Sequence, residues 1–211
     1  MTTRNLETLR QAQRRDFLRM LAIGGSAAAL GGAWLWRSGK PPVEAAIAAP
    51  VAGAADAPDL LLECFADVDG RRLGPCHVKK LVLTDTQWRQ RLSEEAFDVM
   101  RREGTERAFS GAYEHMHIGK GLFRCMGCDT ALFDAATKFD SGTGWPSFWQ
   151  PIAKANVIEK TDRSFGMERI AVTCAGCDSH LGHVFDDGPK PTGLRYCMNS
   201  VALRFVPRSA G

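Results

Sequence analysis

The sequence predicts a mainly β domain with one or two N-terminal helices, held together by a zinc site of four cysteines. Three observations support this fold class. From Gly111 onward, short apolar runs alternate with glycine, proline and aspartate, a pattern typical of antiparallel strands and turns. Two CxxC motifs, at 125–128 and 174–177, each follow a strand-like segment. Helix-capping patterns lie upstream, at Thr84 and Ser93.

The first 60 residues have the composition of an export signal followed by a linker, so we expect the folded domain over 61–211. The segment 13–19 reads Gln-Arg-Arg-Asp-Phe-Leu-Arg, and an apolar run of 17 residues follows from Met20 to Trp36. Paired arginines before an apolar core resemble the twin-arginine signal, which directs already folded proteins to export. We therefore expect an exported, periplasmic protein. The run is at the lower limit of spanning length, so an uncleaved membrane anchor is the alternative.

Length and charge limit the partners. Residues 60–211 carry 20 Lys and Arg against 19 Asp and Glu, so the net charge of +3 belongs mostly to the N-terminal segment. The absence of a basic stripe in the sequence argues against nucleic acid as a partner. About 150 residues are enough for one domain with a real core. We expect a monomer that meets a membrane only through its N-terminal signal.

Local patterns predict two short helices before the β region. Thr84, with a glutamine three residues later, begins the first helix with a capping box. Ser93, followed by two glutamates, begins the second, and Gly104 ends it. The segment 60–70 is expected to be irregular chain with a turn, and 78–83 a short strand.

The two CxxC motifs offer four thiolates, from Cys125, Cys128, Cys174 and Cys177. Four thiolates suit tetrahedral zinc and leave no open position, so the site is expected to be structural. The pairs are 45 residues apart, so the two halves should come from different hairpins. The alternatives are iron, disulfides in an oxidising compartment and a thioredoxin-type redox centre. The duplication argues against a lone redox centre, and export in the folded state would let the metal load before oxidation.

Cys197 is the cysteine that we expect to carry the chemistry. It lies two residues after Arg195 and two before Asn199. A thiol becomes a nucleophile when a neighbouring cation stabilises its thiolate. The alternative is a buried structural cysteine, because free cysteines are among the most buried residues.

Five segments occur together in one order: EGTERAFSG (103–111), LFRCMGC (122–128), KFDSGTGWPSFW (138–149), AVTCAGCDSHLGHVFDDGP (171–189) and GLRYCMNSVALRF (193–205). Through these segments the chain from about 84 to 206 resembles the B-type methionine sulfoxide reductases, which reduce the R epimer of methionine sulfoxide in peptides. The resemblance implies two antiparallel sheets, a structural zinc remote from the active site and a thioredoxin-like electron donor.

The resemblance also implies roles for single residues. Cys197 would attack the sulfoxide and become a sulfenic acid. Trp145 would form an aromatic wall against the substrate methyl group, and Phe185 a second hydrophobic contact. The expected polar residues are His180, His183 and Asn199 around the substrate oxygen, Asp187 orienting the histidines, and Arg195 favouring the thiolate.

Each of these residues also has a plainer interpretation. His180 and His183, beside a CxxC, could be metal ligands, Trp145 a core residue, and Asn199 and Asp187 turn residues. Two further functions compete with catalysis: a zinc-stabilised binding module and a thiol protein that senses peroxide.

The chain departs from many relatives at Thr143, where they carry a recycling cysteine. Our hypothesis is that Cys64 or Cys76 takes this role and forms a disulfide with Cys197, which requires Cα atoms within about 7 Å. Two alternatives stay open. Cys64 and Cys76 could pair with each other, as an oxidising compartment favours, or an external thiol could reduce the sulfenic acid directly.

Overall fold

The structure is a computed structural model that describes residues 57–66, 69–115, 119–163, 166 and 168–208. The predicted export signal therefore lies almost entirely outside the described residues. Among the helices of the described part, none is both long and apolar enough to span a membrane.

The described residues form eleven strands and two α-helices, numbered here in chain order. They are β1 (Asp59–Phe65), β2 (Arg72–Lys79), α1 (Asp85–Arg91), α2 (Glu94–Arg102), β3 (Gly121–Cys125), β4 (Ala131–Asp134), β5 (Lys138–Phe139), β6 (Ser147–Phe148), β7 (Val157–Asp162), β8 (Arg169–Cys174), β9 (His180–Phe185), β10 (Arg195–Met198) and β11 (Leu203–Pro207).

The described strands form three antiparallel sheets. One is the hairpin β1–β2, one has six strands in the order β5-β6-β10-β9-β8-β7, and one has three in the order β11-β3-β4. The predicted fold class, mainly β and antiparallel with two N-terminal helices, is confirmed. The hairpin is a third small sheet, which the resemblance did not imply.

Both helices begin where their caps were predicted. Thr84 caps α1 and exchanges hydrogen bonds with Gln87, whose backbone N–H donates to the Thr84 hydroxyl at 3.4 Å. The hydroxyl of Ser93 accepts from the backbone of α2 in the same way. The second helix ends at Arg102 and is capped by Glu103, which adopts a left-handed φ of 59° one residue before the predicted Gly104.

The prediction of irregular chain over 60–70 was wrong. Residues Asp59–Phe65 form β1 and pair with β2, which ends at Lys79 before most of the predicted strand 78–83. A distant side chain holds β1 in place: Asn156 accepts from the Glu63 N–H and donates to the Glu63 carbonyl, both at 2.8 Å. Because this partner is 93 residues away, no local pattern could reveal the strand.

The six-stranded sheet has two different faces. One face carries buried apolar side chains, among them Phe148, Val172 and Tyr196, and forms part of the core. Phe148 stacks on Phe133 of the three-stranded sheet with ring centroids 4.4 Å apart. Because side chains alternate along a strand, the neighbouring residues of the same strands point to the opposite face. That opposite face holds the polar residues described next.

Candidate functional site

The four paired cysteines converge as a possible metal site. Their sulfur atoms all lie within 4.8 Å of one another. The sulfurs of Cys125 and Cys177 are 3.7 Å apart, and those of Cys128 and Cys174 are 3.4 Å apart. Zinc–sulfur bonds of about 2.3 Å in a tetrahedron require sulfurs about 3.8 Å apart, so the cluster fits zinc. The predicted metal ligands are thus together, and the histidines of this region are not among them.

The metal site joins two sheets. One CxxC turn follows β3 of the three-stranded sheet and the other follows β8 of the six-stranded sheet. The Arg101 guanidinium of α2 donates to the Cys177 carbonyl at 2.9 Å, which fastens a helix to the second turn. Hydrogen bonds, first from Cys125 and then from the other two cysteines, hold the pKa of Cys177 well below its usual value. A metal ion bound by all four cysteines would crosslink the two sheets and would have no open coordination position for a substrate.

Cys197 lies at the centre of the polar face. Its strand, β10, runs between β6 and β9, and Cys197 stands opposite Ser147 on one side and His183 on the other. The thiol is half-buried, and its sulfur lies 4.0 Å from the Thr143 hydroxyl. Gly182 permits the close approach of β9, since a Cβ atom there would overlap the Cys197 carbonyl oxygen.

Two effects oppose each other at the Cys197 thiol. Burial raises its pKa, while the charge of Arg195 and hydrogen bonds from Thr143 and Arg195 lower it, and burial prevails. The predicted influence of Arg195 on the thiolate has the expected direction, but it is the smaller effect. The thiol therefore keeps its proton near neutral pH until something accepts it.

Arg195 is held rigidly beside the thiol. Its guanidinium donates two hydrogen bonds of 2.8 Å to the carboxylate of Asp187 and lies 4.4 Å above the ring of Phe185. This ion pair lowers the pKa of Asp187. Asp187 was expected to orient the histidines, and that assignment is corrected: the structure places it on Arg195.

A different carboxylate contacts the histidines. The Nε2 atom of His183 lies 2.8 Å from an oxygen of Asp162, and Arg169 donates to the same oxygen at 2.8 Å. Asp162 and Arg169 were not predicted as site residues, because only the register of β7 and β8 brings them to His183.

His180 lies behind His183 and is almost completely buried. The two rings meet edge to face with centroids 5.2 Å apart. Burial, and next the charge of His183, lower the pKa of His180 to about 4. Neither ring nitrogen has a hydrogen-bond partner among the described residues. His180 is therefore a neutral, uncommitted polar group beside the site.

Asn199 is buried, and its side chain bonds to backbone groups. Its buried carboxamide accepts from the Glu106 N–H at 3.0 Å and donates to the Leu181 carbonyl at 3.0 Å. The expectation that Asn199 holds the substrate oxygen stays a prediction; in this structure its side chain links two backbone segments.

Glu106, which the sequence analysis did not single out, connects the surroundings of the site. Its carboxylate accepts from the N–H groups of Ser200 and Val201 at 2.7 and 3.0 Å. Its carbonyl accepts the indole N–H of Trp145 at 3.1 Å, which fixes the half-buried ring. An acidic residue inside a motif of the resemblance, at EGTERAFSG, was the signal that could have indicated it.

The hypothesis that Cys64 or Cys76 resolves Cys197 is not supported by the structure. Cys64 and Cys76 form a disulfide with each other, with Cα atoms 5.9 Å apart, and Cys197 is a free thiol. Neither cysteine of a disulfide has a thiol with which to attack a sulfenic acid. The side chains of Asn156 and Arg124 also fasten β1 to the region of the three-stranded sheet.

The sequence matches known proteins along this same region. The model of the SelR domain matches residues 92–207. The chain is 56% identical over 130 residues to the peptide methionine sulfoxide reductase MsrB of Pseudomonas syringae pv. syringae (strain B728a), which covers 62% of this chain and 98% of the relative. It is 54% identical over 124 residues to the MsrB of Azotobacter vinelandii (strain DJ / ATCC BAA-1303), covering 59% of this chain and 92% of the relative.

Proposed function

The chain belongs to the SelR domain family and is a peptide methionine sulfoxide reductase, and from this premise we propose that Cys197 is the residue that reduces the substrate. The substrate is the R epimer of methionine sulfoxide in peptides and proteins. The four-cysteine site holds a structural zinc, which crosslinks the two sheets and takes no part in the reaction. The single observation that carries the assignment is the half-buried, free Cys197 opposite His183 on a polar sheet face.

The reaction moves one oxygen atom between two sulfurs. The Cys197 sulfur attacks the sulfoxide sulfur and forms a transient bond with it. The oxygen then passes from the substrate sulfur to the Cys197 sulfur, and the bond between the two sulfurs breaks. Cys197 is oxidised by two electrons to a sulfenic acid, and the substrate is reduced by two electrons to methionine. The thiol proton ends on the transferred oxygen, so atoms and charge balance.

The neighbouring side chains prepare this transfer. Because burial raises the pKa of Cys197, a base must accept the thiol proton as the sulfur attacks. His183, directly opposite on β9, is the group that we assign to this step. The indole of Trp145, held through its N–H, and the ring of Phe185 supply apolar surface for the methyl group of the substrate.

An external reductant completes the cycle. Thr143 lies against Cys197 where many relatives carry a recycling cysteine, and Cys64 and Cys76 are paired with each other. Two thiols of a thioredoxin-like donor would reduce the sulfenic acid, giving the Cys197 thiol, a donor disulfide and water. We therefore adopt the alternative in which an external thiol, and not a second cysteine of this chain, reduces the sulfenic acid of Cys197.

We propose an exported, periplasmic protein that repairs oxidised methionine in other exported proteins. The twin-arginine-like segment at 13–19 supports this location. The Cys64–Cys76 disulfide supports it independently, because disulfides form and persist in oxidising compartments.

The proposal is tested with a peptide that contains methionine R-sulfoxide, and with dithiothreitol as reductant. We expect wild-type protein to form methionine from the R epimer, and Cys197→Ser to form none while it retains its zinc. The S epimer serves as the matched control substrate. Binding of the peptide without turnover would indicate a binding module, and turnover by Cys197→Ser would refute the role of Cys197.

A further inference from the structure

We infer that Asp162 is a positioning residue, which fixes the ring of His183 so that Nε2 donates to the carboxylate and Nδ1 is left to relay the proton from Cys197. This inference rests on the proposed function. It deepens that function, since it names which nitrogen acts and what holds it.

The geometry of three strands brings the two side chains together. Asp162 ends β7, opposite Arg169 of β8, and two positions further along β8 Ala171 stands opposite His183 of β9. Ala171 has only a methyl group on this face, which leaves room for His183 to reach across the intervening strand. The contact from His183 Nε2 to the Asp162 carboxylate is 2.8 Å long.

This contact is largely shielded from solvent. The side chains of His183 and Asp162 are 12% and 17% exposed, and that of Arg169 is 25% exposed. An ion pair in such surroundings is screened less than one on the open surface. Arg169 donates to the same oxygen of Asp162, so the carboxylate is held from two sides.

The chemistry of the carboxylate determines the tautomer of the histidine. An ionised carboxylate only accepts hydrogen bonds, so the Nε2 atom of His183 must carry a hydrogen. In the neutral ring the lone pair is then on Nδ1. Nδ1 of His183 has no hydrogen-bond partner among the described residues, and His183 stands opposite Cys197 in the register of β9 and β10.

The groups that share this environment come from every neighbouring strand. They are His180 on β9, Asp162 on β7, Arg169 on β8, and Cys197 and Arg195 on β10. In the part of the chain that the structure describes, Asp162 is the one carboxylate in contact with His183. It therefore also stabilises the ring while the ring is protonated.

The proton transfer balances. The S–H bond of Cys197 breaks as its sulfur attacks, and the proton passes to Nδ1 of His183. The protonated ring returns this proton to the sulfoxide oxygen as that oxygen leaves the substrate sulfur. The oxygen ends as the hydroxyl of the sulfenic acid, and His183 is neutral again.

The test replaces Asp162 by asparagine in the otherwise unchanged chain. Because His183 and Arg169 contact the same oxygen of Asp162, the amide oxygen of Asp162→Asn can still accept from both, but the negative charge that stabilises the protonated ring of His183 is lost. We expect single-turnover formation of methionine from the R-sulfoxide peptide to fall about 100-fold, the lower end of what a general base contributes. Glu159→Gln is the matched control, since it makes the same change on the same strand but on the opposite face.

A second readout separates positioning from a merely structural role. We expect the ¹⁵N NMR spectrum of wild-type protein at neutral pH to show His183 with a hydrogen on Nε2. In Asp162→Leu, which removes the acceptor, the spectrum should show a mixture of rings with the hydrogen on Nε2 and on Nδ1. Asp162→Glu, which restores a carboxylate, should recover part of the rate. Zinc content and melting temperature report whether each variant is folded.

Two results would overturn the inference: a rate for folded Asp162→Asn within about threefold of wild type, or a wild-type spectrum with the hydrogen on Nδ1. Wild-type protein that forms no methionine would refute the proposed function itself. Active wild type with an equally active Asp162→Asn would refute only the role of Asp162.

Discussion

Replacement of Glu106 should destabilise the fold and the site together. Its side chain is 3% exposed, and its carboxylate accepts the N–H groups of Ser200 and Val201 at 2.7 and 3.0 Å. Each hydrogen bond to a charged group is worth about 1.5–3 kcal/mol. Glu106→Ala leaves both N–H groups unsatisfied, so we expect a loss of about 3–6 kcal/mol, against a net stability of about 5–15 kcal/mol for a typical domain.

Glu106→Gln gives a graded version of the same change. The amide oxygen of Glu106→Gln still accepts one N–H group, but its amide nitrogen is a donor that faces the other N–H group. One hydrogen bond is therefore lost, and the expected loss of stability is about 1.5–3 kcal/mol. Urea unfolding with zinc present measures both variants. The rate of methionine formation shows whether the backbone carbonyl of residue 106, which every variant retains, still positions the indole of Trp145. Glu168→Ala, which removes an exposed ion pair, should change stability by less than about 0.5 kcal/mol. A loss below about 1 kcal/mol in Glu106→Ala would refute the reasoning.

Three more predictions follow. Cys174→Ala should bind no zinc and lose cooperative unfolding, because structural zinc contributes about 10–16 kcal/mol; a wild-type melting curve measured for this variant would contradict this. The pKa of His180 is about 4 when folded, so the unfolded chain binds more protons below about pH 6.5 and stability falls as pH falls. Between pH 6.5 and 4 the free energy of unfolding should therefore drop by up to about 3 kcal/mol more in wild type than in His180→Gln. An equal drop in the two proteins would contradict this prediction. Thr143→Cys should form a disulfide between position 143 and Cys197 after one turnover, given the present contact of 4.0 Å; peptide mapping that finds no such link would count against the proximity.

Features set by nearby residues were predictable from the sequence. The starts of α1 and α2 depend on caps whose partners lie three residues away, at Thr84 and Ser93. The metal cysteines were equally clear, because duplicated CxxC motifs have few other uses. The mainly β class was also predictable, because the turns after Gly111 depend on residues that are close in sequence.

Features set by strand register were not predictable. Asp187 lies four residues from His183 in sequence, but it follows the end of β9 and its carboxylate bonds to Arg195. Asp162 is 21 residues from His183 and is in contact with it, because β7 and β8 fold back onto β9. The carboxylate that contacts His183 is therefore not the one that the resemblance implied.

The side chain of Asn199 illustrates the same limit. Its type suits a substrate contact, yet the fold uses both ends of its amide to join Glu106 and Leu181. The Cys64–Cys76 disulfide likewise depends on the pairing of β1 with β2, which no local pattern revealed.

The central claim is that four sulfurs hold the metal, two form a disulfide, and Cys197 alone is oxidised by the substrate. The most direct measurement is a single turnover with excess R-sulfoxide peptide and no reductant, followed by trapping with a sulfenic acid reagent and peptide mapping. We predict one methionine per chain, the trapped label on Cys197 only, an unchanged Cys64–Cys76 bridge and full zinc content. Label on any zinc cysteine, or release of zinc as methionine forms, would contradict the account.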